Sequence, residues 1–465
     1  MAGANQEAFG RLHQAVFGRN LYQPSSGRIT MTYHFHIEPR DVLFMRDAKP
    51  MSASDAGLGA NWPRPDQVWS AFINAFHRRW PAMQTWEHKH NIKESDRNKD
   101  SSFRFGALKT GGLFPYATAD GTDNEGKPLF KQGLYLPCPL DVAADDSGKL
   151  YSMKLVPKGL TDLPAPLTHM FSAAVLGKAQ PPQWIHASDY ARYLAGEVLT
   201  PEFKPSLYDN ERHTGIAINP ETGSTVEGQL YQAEYLRFHP EIRMAVQAEC
   251  VIVGETREKV DVFARIAQEE NIPFVFGGQQ GIAYMKRQQE LVGLPQNRLN
   301  GNGLLLRWTL LTPALFPAIA VNSAKGINAH PGGWLPNWVD AVSGKVCLPQ
   351  GRIEKQPSES RDAWRQRMVR APQFSATLVA ARIGKGLSFS GWDLQTGPKP
   401  TQVAVPAGSS YLFKCGSDEE LKALATTLAW NGGNGDVVVS RRSTLFGEKG
   451  FGLGVCSRLA QNNIN

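Results

Sequence analysis

A strand pattern that passes into a helix pattern constrains the fold of this chain more than any other feature of its sequence. Residues 32–39, TYHFHIEP, alternate apolar and polar side chains, as expected for a half-buried strand. Residues 61–80 then place apolar side chains at spacings of three and four residues, with Asp66 as the expected N-cap. The apolar positions are Val68, Phe72, Ile73 and Phe76. We therefore predict a strand followed by an amphipathic helix.

The second half of the chain repeats this order. Strand patterns cover 243–254, 272–288 and 303–316, and KVDVFARIAQEEN (259–271) has a helix pattern. Strand-like alternation returns over 380–393 and 401–415, Asp418 is the expected cap of the helix EELKALATTLAW, and a last strand surrounds GEKGFGLGVCSRL. Strand–helix–strand–strand–helix–strand is the ferredoxin-like order. The predicted fold class is α+β, with two ferredoxin-like (RRM-like, βαββαβ) domains, the first interrupted by insertions.

Composition and turn signals divide the chain further. Residues 1–31 are rich in Gly, Asn, Gln and Ser and are expected to form a flexible N-terminal extension. We predict an N-terminal ferredoxin-like domain over 32–242 and a C-terminal one over 243–465. Residues 212–238, RHTGIAINPETGSTVEGQLYQAEYLRF, place two alternating runs around a polar loop, which predicts a projecting β-hairpin.

Charge and cysteine content narrow the class of protein. Lys plus Arg number 50 and Asp plus Glu 43, a net charge of +7, which permits a polyanionic partner without requiring one. The five cysteines are widely spaced and form no Cys-x-x-Cys pair, so a reducing cytoplasm is the expected location. No run approaches the roughly 18–20 apolar residues that span a bilayer, and no secretory signal is recognised.

The richest candidate binding feature is the glycine-rich loop 447–454 near the C-terminus. Glycines let a backbone approach a ligand and direct N–H groups at phosphate oxygens, while the lysine supplies a cation and the phenylalanine a stacking face. A glycine-rich bulge before an edge strand explains the same pattern. The loop is neither a dinucleotide fingerprint, because the helix precedes it, nor a P-loop, because no Gly-Lys-Ser/Thr closes it. Its candidate residues are Gly447, Lys449, Gly450, Phe451, Gly452 and Gly454.

A charged segment, RDAKP, follows the first strand. Arg46 and Lys49 face phosphate in one interpretation, with Asp47 orienting Arg46 by an ion pair. In the other interpretation the Arg–Asp pair is purely structural, since surface pairs are common and contribute little.

Two weaker candidates lie further along the chain. FGGQQG, with Gly277 and Gly278, is a second glycine-rich turn or a β-bulge. Arg441 and Arg442 are adjacent on a predicted strand and point to opposite faces, so at most one of them serves any site.

No catalytic constellation is recognised in the sequence. His34 and His36 alternate on one strand face without a matching Asp, Glu or Cys cluster, which favours packed histidines over a metal site. His77, beside Arg78 and Arg79 in the first helix, is a candidate general base or an exposed helix residue. No Gly-x-Ser-x-Gly, HExxH or Walker motif is found. We expect no metal and no cofactor.

Five motifs, taken in order, resemble one known family. They are FHIEPRDVLFMRDAKPM, WPRPDQVWSAF, RHTGIAINPETGSTVEGQLYQAEYLR, GWDLQTGPKPTQVAVPAGSSYLF and GEKGFGLGV. Their combination is similar to the RAMP-superfamily third subunit of the Cmr module, from type III-B CRISPR effector complexes, over most of residues 32–458. The resemblance implies a cytoplasmic, non-catalytic subunit that holds the 5′ handle of the CRISPR RNA (crRNA) in antiviral defence. It also implies contacts with the large polymerase-like subunit and the backbone RAMP subunits, and with target RNA indirectly.

The resemblance also assigns candidate RNA contacts. The loop 447–454 would line the RNA backbone, the RDAKP segment would lie near the handle, and the hairpin 212–238 would be the thumb beside it. The residues expected to bind RNA are Arg46, Lys49, Arg78, Arg212, His213, Gly277, Gly278, Arg441, Arg442, Gly447, Lys449, Gly450, Phe451, Gly452 and Gly454.

Two alternatives to this function are kept open. The first is a metal-independent RAMP-family endoribonuclease that processes precursor crRNA with His77 or His213 as general base. The second is a structural assembly protein whose glycine-rich loops pack against partner subunits and which has no RNA affinity of its own.

Overall fold

The computed structural model describes most of the chain between residues 32 and 459. The described residues are 32–45, 62–80, 107–175, 177–253, 259–268, 270–289, 295–321, 328–350, 356, 358–390, 392–393, 397–398, 400–430 and 445–459. Within them, no helix is long and apolar enough to cross a membrane. The predicted N-terminal extension over 1–31 lies outside the described residues.

The described chain contains many short strands and few helices. The strands of its first half are β1 (Tyr33–Pro39), β2 (Lys109–Ala117), β3 (Gly121–Thr122), β4 (Pro128–Phe130), β5 (Gly133–Pro137), β6 (Val142–Ala144), β7 (Leu150–Ser152), β8 (Lys154–Pro157), β9 (His169–Ser172), β10 (Trp184–His186), β11 (Tyr208–Ile218) and β12 (Thr225–Phe238). Those of its second half are β13 (Ile242–Glu249), β14 (Val251–Val253), β15 (Lys259–Asp261), β16 (Asn271–Val275), β17 (Ile282–Gln288), β18 (Leu305–Leu310), β19 (Thr377–Arg382), β20 (Leu387–Phe389), β21 (Trp392–Asp393), β22 (Gly397–Pro398), β23 (Gln402–Ala404), β24 (Ser410–Lys414) and β25 (Gly454–Leu459). The helices are α1 (Pro65–Arg79), α2 (Ala187–Leu194), α3 (Arg361–Arg370) and α4 (Asp418–Leu428), with 3₁₀ turns at Phe263–Arg265 and Gly447–Lys449.

Seven antiparallel strands form the first sheet, in the order β10-β5-β2-β13-β1-β17-β16. Helix α1 connects β1 to β2 and packs on one face of this sheet. The Phe72 ring centroid lies 5.9 Å from that of Phe35 on β1 and 6.0 Å from that of Phe274 on β16. Burial of each such ring contributes roughly 2–3 kcal/mol, so the predicted strand and amphipathic helix are held together by their apolar faces.

Helix α1 begins earlier than its predicted cap. Arg64 is the N-cap, Pro65 is the first helical residue, and Asp66 lies in the first turn. The side-chain Oε1 of Gln67 accepts the Arg64 N–H at 2.8 Å, which satisfies one N–H group at the helix start. Proline is well suited to the first helical position because its fixed φ matches the helix and its missing N–H is not needed there.

The helix predicted over residues 259–271 is wrong. The chain there forms β15 and a single 3₁₀ turn, Phe263–Arg265, after which Ile266 is extended. The Asp261 carboxylate accepts the N–H groups of Phe263 at 3.1 Å and Ala264 at 3.4 Å. An aspartate that bonds the backbone two and three residues on favours a turn, and the β-branched neighbours disfavour helix extension.

Four antiparallel strands form the second sheet, in the order β19-β24-β18-β25. On β18, Leu306, Trp308 and Leu310 share a buried cluster with Leu421 and Leu424 of α4. The cap of α4 is Ser417, whose side chain accepts the Glu420 N–H, and the predicted cap Asp418 is the first helical residue.

The hairpin of β8 and β9, from the first half of the chain, covers the face of the second sheet that is opposite α4. Leu155 of β8 lies in one buried cluster with Leu305, Val379, Leu412 and Leu459 of the second sheet. The Thr168 N–H donates to the Val379 carbonyl at 3.0 Å, which ties the same hairpin to the edge strand β19. The interior around the second sheet is therefore built from both halves of the chain.

Strands of the predicted second half also contribute to the first sheet. β13, β16 and β17 pair with β1 or with one another, and all three strands follow residue 241. The change from the first sheet to the second falls between β17 and β18. The described chain is thus a mixed α/β protein with mostly antiparallel sheets and few helices.

Candidate nucleic-acid interface

A groove of about 510 Å3 lies between the exposed face of α1 and two glycine-containing turns. The turn between β16 and β17 contributes Gly277, and the loop before β25 contributes Phe446 and Lys449. The remaining lining side chains include Arg64, Asp66, Gln67, Ser70 and Asn74 from the helix region and Ser390, Pro400 and Gln402 opposite. The groove brings together two glycine-rich segments that are far apart in the sequence.

Lys449 supplies a cation to this groove. Its Nζ lies 4.6 Å from the ring centroid of Trp69 and 4.4 Å from that of Phe446. Aromatic rings attract an ammonium group through their negative faces, so the two rings hold the charge at the groove wall. The second cation, Arg64, is paired with Asp66 at 3.1 Å, which reduces its net contribution.

Backbone strain is concentrated in the same two turns. In the described part of the chain, the non-glycine residues with positive φ are Gln279 (53°), Gln280 (53°) and Phe446 (59°). Left-handed backbone at a non-glycine residue costs on the order of 1 kcal/mol or more, and such residues cluster at functional sites. All three belong to the turns that form the groove.

The FGGQQG turn is held by hydrogen bonds on both sides. The Phe276 N–H donates to the Gly281 carbonyl at 2.7 Å, and the Gly278 N–H donates to the Phe44 carbonyl at 2.8 Å. Gly277 has a φ of +85°, and a Cβ there would lie 3.0 Å from the Phe44 carbonyl oxygen. Glycine is therefore required at position 277 by conformation and by close approach.

The second half of the loop 447–454 lies in the interior. Phe451 is 0% exposed, so its ring offers no face for stacking on a base. Gly450 has a φ of +94°, and a Cβ there would lie 2.9 Å from the Thr110 carbonyl oxygen of β2. The Gly452 N–H donates to the Pro313 carbonyl at 2.7 Å, and Gly454 packs directly on the Trp308 indole. These residues join the two sheets, whereas Gly447 and Lys449 lie in the part of the loop that reaches the groove.

The predicted hairpin is confirmed as β11 and β12, with a base that starts at Tyr208 rather than residue 212. Arg212 lies opposite Glu234 and pairs with it at 3.4 Å. His213 and Arg237 both contact the carboxylate of Glu211. Hydrogen bonds from Arg237 and His213 lower the pKa of Glu211 to about 2, so this carboxylate is charged at neutral pH. Arg212 is thus ion-paired with a carboxylate, and His213 is hydrogen-bonded to one.

The hairpin also contacts the end of the first strand. Arg237 Nη1 donates to Asp41 at 3.1 Å, and Leu43 and Leu236 exchange backbone hydrogen bonds, each of 2.9 Å. Asp41, which lies between β1 and the RDAKP segment, thus has a structural role. The predicted RNA contacts of that segment, Arg46 and Lys49, lie outside the described residues, as do Arg441 and Arg442.

Ser70 and Asn74, two residues of a polar stripe on α1, were not predicted as part of the site. Ser70, Asn74 and Arg78 are exposed and follow at intervals of four residues, which places them on one face of the helix. Ser70 and Asn74 line the groove, and the predicted residue Arg78 extends the same face by one turn. The four-residue spacing of polar side chains is the sequence signal that identifies this stripe.

A buried ion pair was also missed. Arg307 of β18 and Asp141, which precedes β6, lie 3.1 Å apart and are each 1% exposed. Asp141 also accepts the hydroxyls of Tyr193 at 2.6 Å and Ser410 at 3.0 Å. Arg307 donates further to the Tyr193 carbonyl and the Ser457 hydroxyl, so the buried charges are compensated by a dense polar network. This network joins the two halves of the chain.

The two strand histidines lie on the face of the first sheet opposite α1. The His36 ring centroid is 4.4 Å from that of Tyr116. Burial, with the nearby positive charge of Arg243 and with His34, lowers the pKa of His36 to about 4, which keeps it neutral at pH 7. Among the described residues, no group of three or more His, Cys, Asp or Glu side chains could hold a metal ion.

Comparison with known proteins identifies the family. A model of the CRISPR-associated protein (Cas_Cmr3) family matches residues 35–456, and the chain therefore belongs to this family. The family recognised in the sequence is confirmed. No curated protein matches the chain.

Solved structures give weaker similarities. A chain of type III-B Cmr-beta bound to cognate target RNA has 14% identity and a TM-score of 0.37, with 82% of this chain and 86% of that chain covered. A chain of the same assembly bound to cognate target RNA and AMPPnP, state 1, has 14% identity, the same coverage and a TM-score of 0.36. A chain of its apo state has 9% identity and a TM-score of 0.23, with 56% and 99% covered.

Proposed function

We propose that this protein is a non-catalytic, RNA-binding subunit of a type III-B Cmr effector complex. It holds the 5′ handle of the crRNA and bridges the large polymerase-like subunit to the backbone RAMP subunits. Target RNA is contacted indirectly, and its cleavage belongs to neighbouring subunits. Membership of the Cas_Cmr3 family supports the assignment to this complex.

The observation that carries RNA binding is the concentration of backbone strain at one groove with a cation. Phe446 and Lys449 line the groove, and Gln279 and Gln280 lie in the turn that supplies Gly277. Strain of this kind persists only where the surrounding structure maintains it, and ligand-binding sites are where it is most often found. Groove walls with amide and hydroxyl side chains around a lysine suit a sugar–phosphate backbone.

We further infer that the two sheets are two ferredoxin-like units. In the second, the chain order β18-α3-β19-β24-α4-β25 and the spatial order β19-β24-β18-β25 support this. In the first, β2-β13-β1-β17 has the corresponding order, with the turn Phe263–Arg265 where a second helix would lie. The predicted division into domains falls at 242/243. The pairing of β17 with β1, and of β16 with β17, supports a division later in the chain.

The hairpin extends the proposed RNA surface. Tyr235 of β12 donates its hydroxyl to the Oε1 of Gln279 at 2.6 Å, so the hairpin base and the FGGQQG turn are in contact. Arg212 and His213 lie on the exposed part of β11. Arg46, Lys49, Arg441 and Arg442 stay predicted RNA contacts, as the family resemblance implies.

A salt titration tests the proposal. Full-length protein is titrated with the repeat-derived 5′ segment of its host's crRNA at several salt concentrations. We expect Lys449→Ala to weaken binding and to reduce the slope of log affinity against log salt by about 0.7, the value for one phosphate contact on a single strand. Lys127→Ala, which removes an exposed lysine paired with Glu125, is the matched control.

The competing outcomes are distinct. If Lys449→Ala leaves the slope of log affinity against log salt unchanged, the groove does not bind an RNA phosphate. Absence of measurable affinity in the wild-type chain at low salt would favour the assembly protein. Co-purification of the polymerase-like and backbone subunits from the host tests the bridging role.

A second candidate function, endoribonuclease activity, is favoured by one observation. His213 is half-exposed and contacts the Glu211 carboxylate, an arrangement that can orient an imidazole as a general base. Specific cleavage of precursor crRNA that is lost in His213→Ala would establish this activity. Intact precursor after incubation with wild-type protein would exclude it.

A further inference from the structure

We propose that Gln280 reads one unpaired base of the RNA bound in the groove and thereby sets the sequence preference of the site. This inference rests on the proposed function, because it requires RNA to lie along the groove. It goes beyond that function by naming the side chain that distinguishes one base from another.

The conformation of the turn singles out this residue. Gln279 and Gln280 are consecutive and both have a φ of 53°, although Gly277, Gly278 and Gly281 surround them in the same turn. Glycine adopts a positive φ without steric cost, whereas glutamine does not. The turn thus carries strain at the two positions that have long amide side chains.

The two glutamines have different surroundings. The Oε1 of Gln279 accepts the Tyr235 hydroxyl, and the Tyr235 ring packs 5.3 Å from Phe44 and 4.6 Å from His213. Gln279 is therefore fixed to the hairpin base. Gln280 is exposed, and neither its backbone N–H nor its side chain has a hydrogen-bond partner among the described residues. One amide anchors the turn, and the next is presented to solvent.

Gln280 lies beside the path that we propose for the RNA. Gly277 of the same turn lines the groove that holds Lys449, and Gln279 contacts the hairpin. The turn thus lies between the proposed phosphate contact and the proposed thumb. RNA that passes from one to the other runs alongside Gln280.

The chemistry of the amide suits recognition of a base. Its NH2 group donates and its carbonyl oxygen accepts, so it can form two hydrogen bonds to a base edge that offers an adjacent acceptor and donor. Unpaired RNA bases expose such edges, and single-stranded segments are where proteins recognise RNA sequence.

The test compares base preference with stability. Full-length wild type and Gln280→Gly are titrated with single-stranded RNAs of about ten nucleotides, a length within the range of single-strand binding sites. The probes are homopolymers of A, C and U and an alternating G–U sequence. We expect wild type to favour one probe by roughly tenfold, as one bidentate contact gives. Gln280→Gly should abolish that preference while raising the melting temperature, because glycine relieves the strain.

Two further variants sharpen the result. Gln280→Glu, which only accepts hydrogen bonds, should move the preference toward bases that present a donor, such as cytosine. Gln268→Gly, at an exposed glutamine in the loop before β16, should leave the preference unchanged.

The failure of this inference is distinguishable from failure of the proposed function. If Gln280→Gly keeps the wild-type ratio of affinities, or if wild type binds all probes equally, Gln280 does not read a base. In those cases a uniform loss of affinity in Lys449→Ala still supports the groove as an RNA site. If wild type binds none of the probes, both proposals are overturned.

Discussion

Arg307 and Asp141 form an ion pair of 3.1 Å between side chains that are each 1% exposed. Arg307 belongs to the second sheet, and Asp141 lies 166 residues earlier, in the segment that leads to the covering hairpin. The hydroxyls of Tyr193, Ser410 and Ser457 complete the network. The contact between the two halves of the chain thus includes this polar network as well as the apolar cluster around Leu155.

Loss of the charge on Asp141 should destabilise the whole protein. We expect Asp141→Asn to lower the free energy of unfolding by about 3–5 kcal/mol, because Arg307 would remain buried without its counter-ion. The measurement is the midpoint of denaturant unfolding. The control Glu125→Gln removes an exposed pair and should change stability by less than about 0.5 kcal/mol. Equal midpoints for Asp141→Asn and wild type would show that the pair contributes no net stability.

The hairpin of β8 and β9 should be required for the stability of the second sheet. Leu155 is 1% exposed and packs on that sheet, so Leu155→Ala should cost about 2–5 kcal/mol. Hydrogen exchange should become faster in β18 and β24. Leu160→Ala, at a fully exposed leucine in the same hairpin's loop, should have an effect within about 0.5 kcal/mol of zero. Unaltered protection of β18 in Leu155→Ala would contradict the covering role.

Gly450 should act through packing rather than RNA binding. Gly450→Ala places a Cβ at positive φ and 2.9 Å from the Thr110 carbonyl, and we expect a loss of about 2 kcal/mol or more. Gly148 has a φ of +83° with open space around it, so Gly148→Ala should lose only about 1 kcal/mol. The difference measures the cost of the close approach. RNA affinity per folded molecule should be unchanged in Gly450→Ala, and a lower affinity would return this glycine to the RNA site.

His36 should make stability depend on pH. Its folded pKa of about 4 is below the ordinary value of 6.5, because burial and Arg243 disfavour the charged form. The stabilisation is therefore complete above pH 6.5 and is lost as the pH falls toward 4, by up to about 3 kcal/mol. His36→Phe keeps an aromatic ring beside Tyr116 and removes the titration. Unfolding midpoints between pH 7 and 4 should fall less steeply in His36→Phe, and parallel curves would exclude this origin.

Local sequence patterns predicted several elements correctly. The alternation in TYHFHIEP and the spacing of Val68, Phe72 and Phe76 correspond to β1 and α1 because each pattern reflects burial on one face. The run KVDVFARIAQEEN misled because its apolar spacing fits a helix, whereas Asp261 bonds the backbone into a turn. The apolar spacing of residues 259–271 is compatible with a helix, but the hydrogen bonds of Asp261 determine that the chain turns there.

The sequence predicted only part of the candidate site. Glycine content identified Gly277 and Lys449 separately, but their meeting in one groove depends on strand order, which no local pattern encodes. Polar Arg307 and Thr309 at alternate positions of an otherwise apolar strand signal a covered polar face, but the partner Asp141 is too distant to identify. The left-handed backbone of Gln280 has no sequence signature at all, because glutamine is rare in that conformation.

The hairpin of β8 and β9, which packs on the second sheet, limits the movements that the interior allows. Any movement of residues 141–172 relative to the second sheet must expose Leu155 and separate Arg307 from Asp141 inside a closely packed interior. Interiors of this density deform little before they break. This segment and the second sheet should therefore move together as one rigid body.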